Sequence, residues 1–231
     1  MELFVKFINQ ARQGTSINNL VFRRLSHFTW ADSCPFGLGG YLTSGRAWRY
    51  YISPSLQSIH TNNVLEYIAS VVTIWLDILE GATPQYACIL GCSDSSSTVG
   101  WLYRSNFDQK ERPIHEDISR HLACILMEAM CTLYSQHQKG KYNVIADILS
   151  RWNFLSHIEL TIFLKTTLHT HMPTSFQLSP LPDKISSWIT STLVKLRDTT
   201  RSRTKHTRTE TKHGNNVVLA GNSGHRKRPL P

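Results

Sequence analysis

Four carboxylates stand out because each sits in a short pattern that could present an acid for chemistry. They are Asp32 in ADSCPFGLGGY, Glu66 in TNNVLEYIA, Asp94 in SDSSSTVGWL and Asp147 in GKYNVIADILSRW. Carboxylates gathered at one place suit divalent ions, since Mg²⁺ takes hard oxygen ligands, keeps several waters and needs few protein donors. Two such ions about 3.5 to 4 Å apart make a water nucleophilic and steady the leaving oxygen of a phosphodiester. Each acid also has a plain structural use. Asp32 precedes Ser and Pro as turn residues do, and Glu66 stands three positions after Asn63, the spacing of a capping box. Asp94 is placed to cap a helix beginning at Ser95, and Asp147 lies inside a helical pattern where it could simply face water.

The elements that would carry these residues follow from the local patterns. His27 to Asp32 alternates aromatic and small residues as a strand does. Gly37, Gly39 and Gly40 interrupt before Tyr41 and Leu42, and a Ser-Gly-Arg turn at 44–46 leads into AWRYYI. Thr61, Asn62 and Asn63 start a helix whose apolar residues, Val64 to Leu79, recur at helical spacing and stop at Gly81. YACILGCSD at 86–94 suits a strand buried on both faces. A serine-capped helix is expected over Ser95 to Tyr103, a longer one over Ile118 to Tyr134, a short strand near Ser135 to Gln138, and a last helix over Asn143 to Ser150. The order βββαβααβα implies a mixed α/β sheet of five strands with helices on its faces.

That order, with those four motifs in sequence over about 125 residues, resembles the ribonuclease H fold. The resemblance implies that Asp32, Glu66, Asp94 and Asp147 hold two Mg²⁺ ions, with Mn²⁺ as a substitute, and hydrolyse the RNA strand of an RNA/DNA hybrid. Four coincidences at four matching motifs are far less expected than any one of the structural uses alone. The resemblance also places Asn63, Ser95 and Ser96 as polar contacts to the nucleic acid. Arg46, Arg104 and Lys141 are candidate phosphate contacts, weighed against simple surface solvation. Cellular enzymes of this fold carry a histidine in the loop before the last helix, where this chain has Lys139, Gly140, Lys141 and Tyr142. The flanks add context. INNLVFRR before the first strand is similar to the junction of reverse transcriptase and ribonuclease H in DIRS-type retroelements. LSPLPDKISSWITSTLVKLR resembles the segment leading toward their tyrosine recombinase. These likenesses imply a fragment of such a polyprotein, with a reverse transcriptase domain as a possible partner.

The chain has 231 residues, enough for one domain with appendages, and its 41% hydrophobic content can fill a core. The formal charge of +9 belongs to the end of the chain: Lys195 to Pro231 carries a surplus of +8, whereas 27–152 carries −2. The expected organisation is a connection remnant at 1–26, the ribonuclease H-like domain at 27–152, a linker with short helices at 153–198, and a basic disordered tail at 199–231. Five cysteines without CxxC spacing suit buried small residues better than disulfides or zinc. His115, Glu116, Asp117 and His121 lack the spacing of a metal motif. No run of roughly 18 to 20 apolar residues is evident, and MELFVKFINQ does not resemble a secretory signal, so an intracellular setting, cytoplasmic or nuclear, is expected. The competing functions are a catalytically silent nucleic-acid-binding relic and a transposase or integrase of the same superfold. The Asn-x-x-Ala-Asp-x-Leu-Ser-Arg ending argues against the last.

Overall fold

The computed structural model describes residues 2–12, 24–57, 61–81, 83–84, 86–104 and 112–213. Strands β1 (His27–Cys34), β2 (Gly37–Leu42) and β3 (Arg46–Tyr51) form an antiparallel meander. The second turn rests on Gly45 at φ 91°, a backbone conformation that side chains disfavour, and its N–H bonds the Leu42 carbonyl at 2.9 Å. Helix α2 (Asn62–Leu79) crosses over, and β4 (Cys88–Ser93) then runs parallel to β1. After α3 (Ser96–Arg104) and α4 (Arg112–Ala129), β5 (Thr132–His137) runs parallel to β4. A 3₁₀ turn at Gly140–Tyr142 leads into α5 (Val144–Arg151).

The expected order βββαβααβα is therefore present from β1 to α5. The sheet has six strands rather than five, ordered β5-β4-β1-β2-β3-β6, because a two-residue strand, β6 (Gln177–Leu178), pairs parallel with the start of β3. Alternate residues of the strands feed two cores, as the strand period requires. Leu38, Leu42 and Trp48 join α2, Ile118 and Leu122 on one face. Tyr41 and Ala47 join Ile145 and Leu149 of α5 on the other. Helix α2 is buried from Val64 to Asp77. By length and composition it could cross a membrane, with a mean hydropathy of 1.2 over 18 residues, although no such run was evident in the sequence; 78% of it is buried inside the protein. A helix apolar around most of its circumference is what a core helix needs.

Several boundaries differ from expectation, and α4 differs at both ends, beginning at Arg112 rather than at Ile118. Helix α4 ends at Ala129 rather than near Tyr134 because Met130 adopts φ 54°. The Cys131 N–H reaches back to Leu126 O at 3.0 Å and the Met130 N–H to Met127 O at 3.2 Å, a Schellman closure built on methionine instead of glycine. Strand β5 consequently starts at Thr132, three residues early.

Residues 153–197, expected as a linker, are packed. Helix α6 (His157–Thr167) opens on a capping box between Ser156 and Glu159 and buries Leu160 and Leu164 beside Phe176 and Leu178. Helix α7 (Asp183–His213) sends Ile185, Ile189, Leu193 and Leu196 into the main core. Helix α1 (Glu2–Arg12) touches α4 through Lys6 Nζ, 3.2 Å from Glu128 Oε1. These elements, α7 as far as Arg197, lie in one compact unit, Met1–Arg197, and Asp198–Pro231 forms a second. The helical backbone of α7 continues to His213, through residues expected to be disordered. Residues 13–23 and 214–231, and with them part of the proposed connection remnant and the end of the basic tail, lie outside the described residues.

Candidate metal centre

Asp32 lies within β1 opposite Gly39 of β2, so the turn role does not apply to it. Glu66 projects from the second turn of α2, and Asp94 follows the end of β4, the parallel neighbour of β1. A carboxylate oxygen from each lies within 4.8 Å of the others, the one such cluster among the described residues. Asp32 and Glu66 are buried, at 3% and 4% exposure, and Asp94 is more open.

The capping alternatives fail on their own geometry. Ser95, not Asp94, receives the first-turn N–H of α3, from Thr98 at 3.2 Å. Glu66 makes no capping box; its Oε1 accepts from the Ser33 N–H at 3.1 Å and the Ser33 hydroxyl at 2.9 Å. Its Oε2 is buried and has no hydrogen-bond partner. Two unit charges 4.8 Å apart repel by roughly 3.5 kcal/mol at an effective dielectric near 20. Burial, followed by the charge of Asp32, pushes Glu66 up to about 8. Burial pushes Asp32 up to about 6 against the hydrogen bond from Ser150, with Asp94 and Asp147 adding to the rise. A buried acceptor with no donor, in a cluster of desolvated acids, fits a divalent cation: hard oxygens converge, and a positive charge would offset both desolvation and repulsion.

Helix α5 completes one wall. Ser150 donates to Asp32 Oδ2 at 2.6 Å, and the Asn143 amide donates to Ala31 O at 2.9 Å, tying the helix start to β1. The close approach depends on missing side chains. A Cβ at Gly39 would lie 2.6 Å from Leu149 Cβ and from Ser150 N, and one at Gly37 would lie 2.1 Å from Ser150 O. Asp147 stands on this helix, 45% exposed at its side chain, and pairs with Arg151 one turn later. The structure does not bring it into the cluster of three, but its charge reaches Asp32.

The candidate nucleic-acid contacts divide. Asn63 and Ser96 are exposed at the starts of α2 and α3, and Ser95 caps α3 beside Asp94. Lys141 is exposed on the turn next to the cluster, where a Cβ at Gly140 would lie 3.0 Å from Asp94 Oδ2. Arg46 is not at this end of the sheet. It lies three rows beyond the Gly39–Arg49 pair, held by Glu80 at 2.8 Å and by Pro180 O at 2.9 Å. The side chain of Arg104 lies outside the described residues. Ser33, Ser150 and Asn143 were not anticipated; Ser33 and Ser150 sit within or beside the acidic motifs, but nothing local reveals contacts spanning 33 and 118 residues. His137 Nε2 lies 3.0 Å from Asp94 O.

No family model matches the chain, and no curated protein matches it. Among solved structures it is similar to ribonuclease H1 of the halophilic archaeon Halobacterium salinarum NRC-1, at 19% identity over 55% of this chain and 95% of that one, with a TM-score of 0.43. It is also similar to LC11 ribonuclease H1 in complex with an RNA/DNA hybrid, at 20% identity over 53% and 91% of the two chains, TM-score 0.40. From the element order and the β5-β4-β1-β2-β3 core of the sheet, the chain has a ribonuclease H-like fold.

Proposed function

We propose that the chain is an endonuclease that hydrolyses the RNA strand of RNA/DNA hybrids with two bound Mg²⁺ ions, Mn²⁺ serving in their place. The observation that carries this is the convergence of Asp32, Glu66 and Asp94 from three separate elements, with Glu66 Oε2 buried and unpartnered. When bound, the ions supply a nucleophilic water and stabilise the leaving oxygen. The chain's own residues fix the ligands. Ser33 orients Glu66, Ser150 orients Asp32, and Ser95 frees Asp94 from capping. Asp147, paired with Arg151 on α5, would hold an ion as the fourth acid.

Substrate choice rests on the wide minor groove of hybrid helices, where 2′-hydroxyls are read without sequence. Asn63, three residues before Glu66, Ser95 and Ser96, which follow Asp94, and Lys141, beside Gly140, would supply the polar contacts to the hybrid. The retroelement setting and a reverse transcriptase partner rest on the likeness of the flanking segments alone. The test is a substrate panel: purified protein with Mg²⁺ and labelled hybrid, single-stranded RNA or duplex DNA. Cutting of the RNA strand in the hybrid alone, leaving 5′-phosphate ends, is expected. A folded sample that cuts nothing with Mg²⁺ or Mn²⁺ would favour the silent nucleic-acid-binding relic.

A further inference from the structure

Apart from the carboxylates, α1, α2, α4 and α7 enclose a cleft of about 460 Å³, within the size range of small-ligand sites. Its floor is apolar and aromatic. Trp75, Ile118 and Ile125 are buried there, and Trp188 stands edge-on to Trp75 with centroids 5.9 Å apart. His121 stacks on Trp188 at 4.7 Å and 19°. Burial, then the nearby charge of Lys184, pushes His121 down to about 4, so its ring is neutral at pH 7 and adds no charge to the cleft.

The rim is ionic. Glu128 pairs with Lys6 at 3.2 Å, while Asp117 meets Arg120 at 3.0 Å and Lys195 at 3.9 Å. Lys184 differs from these. Its Nζ lies 5.5 Å above the Trp75 ring, and no carboxylate among the described residues pairs with it. Four cations and two carboxylates line the cleft over an aromatic floor, and the charge of Lys184 is the one left to a ligand. An apolar ligand would leave that charge unanswered, and a bare inorganic anion would leave the floor uncovered.

We propose that this cleft binds a nucleotide, its base against the partly exposed Trp188 at the edge of the buried floor and its phosphate on Lys184, either free or as an unpaired end of a nucleic-acid strand. Stacking of a base on an aromatic side chain contributes roughly 1–3 kcal/mol, and the phosphate supplies the anion that Lys184 lacks. The site shares no residue with the metal centre, so the proposal stands or falls independently of the nuclease function.

The full chain, without divalent metal, is titrated with AMP, adenosine, inorganic phosphate and a short single-stranded DNA while tryptophan fluorescence is followed. Saturable quenching is expected with AMP or with the oligonucleotide, and adenosine should bind at least about tenfold more weakly than AMP, a difference of about 1.4 kcal/mol. Saturation by AMP assigns a free nucleotide; saturation by the oligonucleotide without AMP assigns a strand end. In either case Lys184→Glu should weaken binding at least about tenfold without lowering the Tm. Ser191→Phe, which fills the cleft without changing a charge, should abolish it. The proposal is overturned by no saturable quenching with any probe, by adenosine or phosphate matching AMP, or by binding indifferent to both substitutions.

Discussion

Replacing Glu66 by glutamine should stabilise the metal-free protein at pH 8 and destabilise it at pH 5. Glu66 is 4% exposed, and its carboxyl is pushed from 4.5 up to about 8 by burial and then by Asp32. Below pH 4.5 the group is protonated in both the folded and the unfolded chain. As the pH rises toward 8 the unfolded chain releases its proton first, so stability is lost across that window. At about 1.36 kcal/mol per pH unit the loss is roughly 3 kcal/mol by pH 7 and approaches 5 by pH 8. Glutamine removes the charge and keeps an oxygen for the two Ser33 donors, but sets an amide where Oε2 has no partner, costing about 1–2 kcal/mol. The net expectation is a loss of about 1 kcal/mol at pH 5 and a gain of about 3 kcal/mol at pH 8, or about 6–12 °C in Tm for a unit of this size. Thermal melts in EDTA across pH 5 to 8 measure it, and histidine titrations common to both proteins cancel in the difference. A difference that does not change with pH, or a variant weaker than wild type at pH 8, would refute the electrostatic picture of the cluster.

Four further substitutions probe the supporting structure and the surface beside the acids. Gly39→Ala sets a Cβ 2.6 Å from the backbone N of Ser150, so α5 must move; a loss of about 1–3 kcal/mol in denaturant unfolding and reduced hybrid cleavage are expected together, and full activity at wild-type stability would deny the role given to that contact. Met130→Gly relieves the positive φ at the end of α4 and should add about 0.5 kcal/mol in the same assay; a loss would mean that methionine packing outweighs the backbone. Arg46→Met removes the Glu80 pair and the bond to Pro180 and should cost about 1–2 kcal/mol with hybrid affinity unchanged. Lys141→Ala should instead leave stability unchanged and reduce the salt slope of hybrid binding by about one.

The parts of this fold legible in the sequence were those with a local physical cause. The alternation of β1, the turn at Gly45 and the apolar period of α2 each state their structure over a few residues. The acids were legible as motifs, whereas the groups that orient two of them were not, because the bonds from Ser33 to Glu66 and from Ser150 to Asp32 exist only after β1, α2 and α5 have packed. The end of α4 was hidden because methionine, not glycine, takes the left-handed position. The packing of 153–197 was hidden for another reason. Helix α6 buries Leu160 and Leu164 but leaves Ile158 and Ile162 exposed at 74% and 58%, so its apolar residues do not mark one inward face. Arg46 looked like a phosphate contact by residue type, but its partners Glu80 and Pro180 lie far along the chain.

Asp94→Asn gives the most direct test of the metal centre, because Ser95 already caps α3 and the substitution leaves that helix start intact. Wild type and variant are compared for Mg²⁺-dependent cleavage of a labelled RNA/DNA hybrid, with metal-free melting measured on the same samples. The expected result is cleavage of the RNA strand by wild type, collapse to background in the variant, and a variant Tm no lower than that of wild type. Near-wild-type cleavage by Asp94→Asn, or no cleavage by folded wild type, would contradict a metal-dependent hybrid nuclease built on Asp32, Glu66 and Asp94.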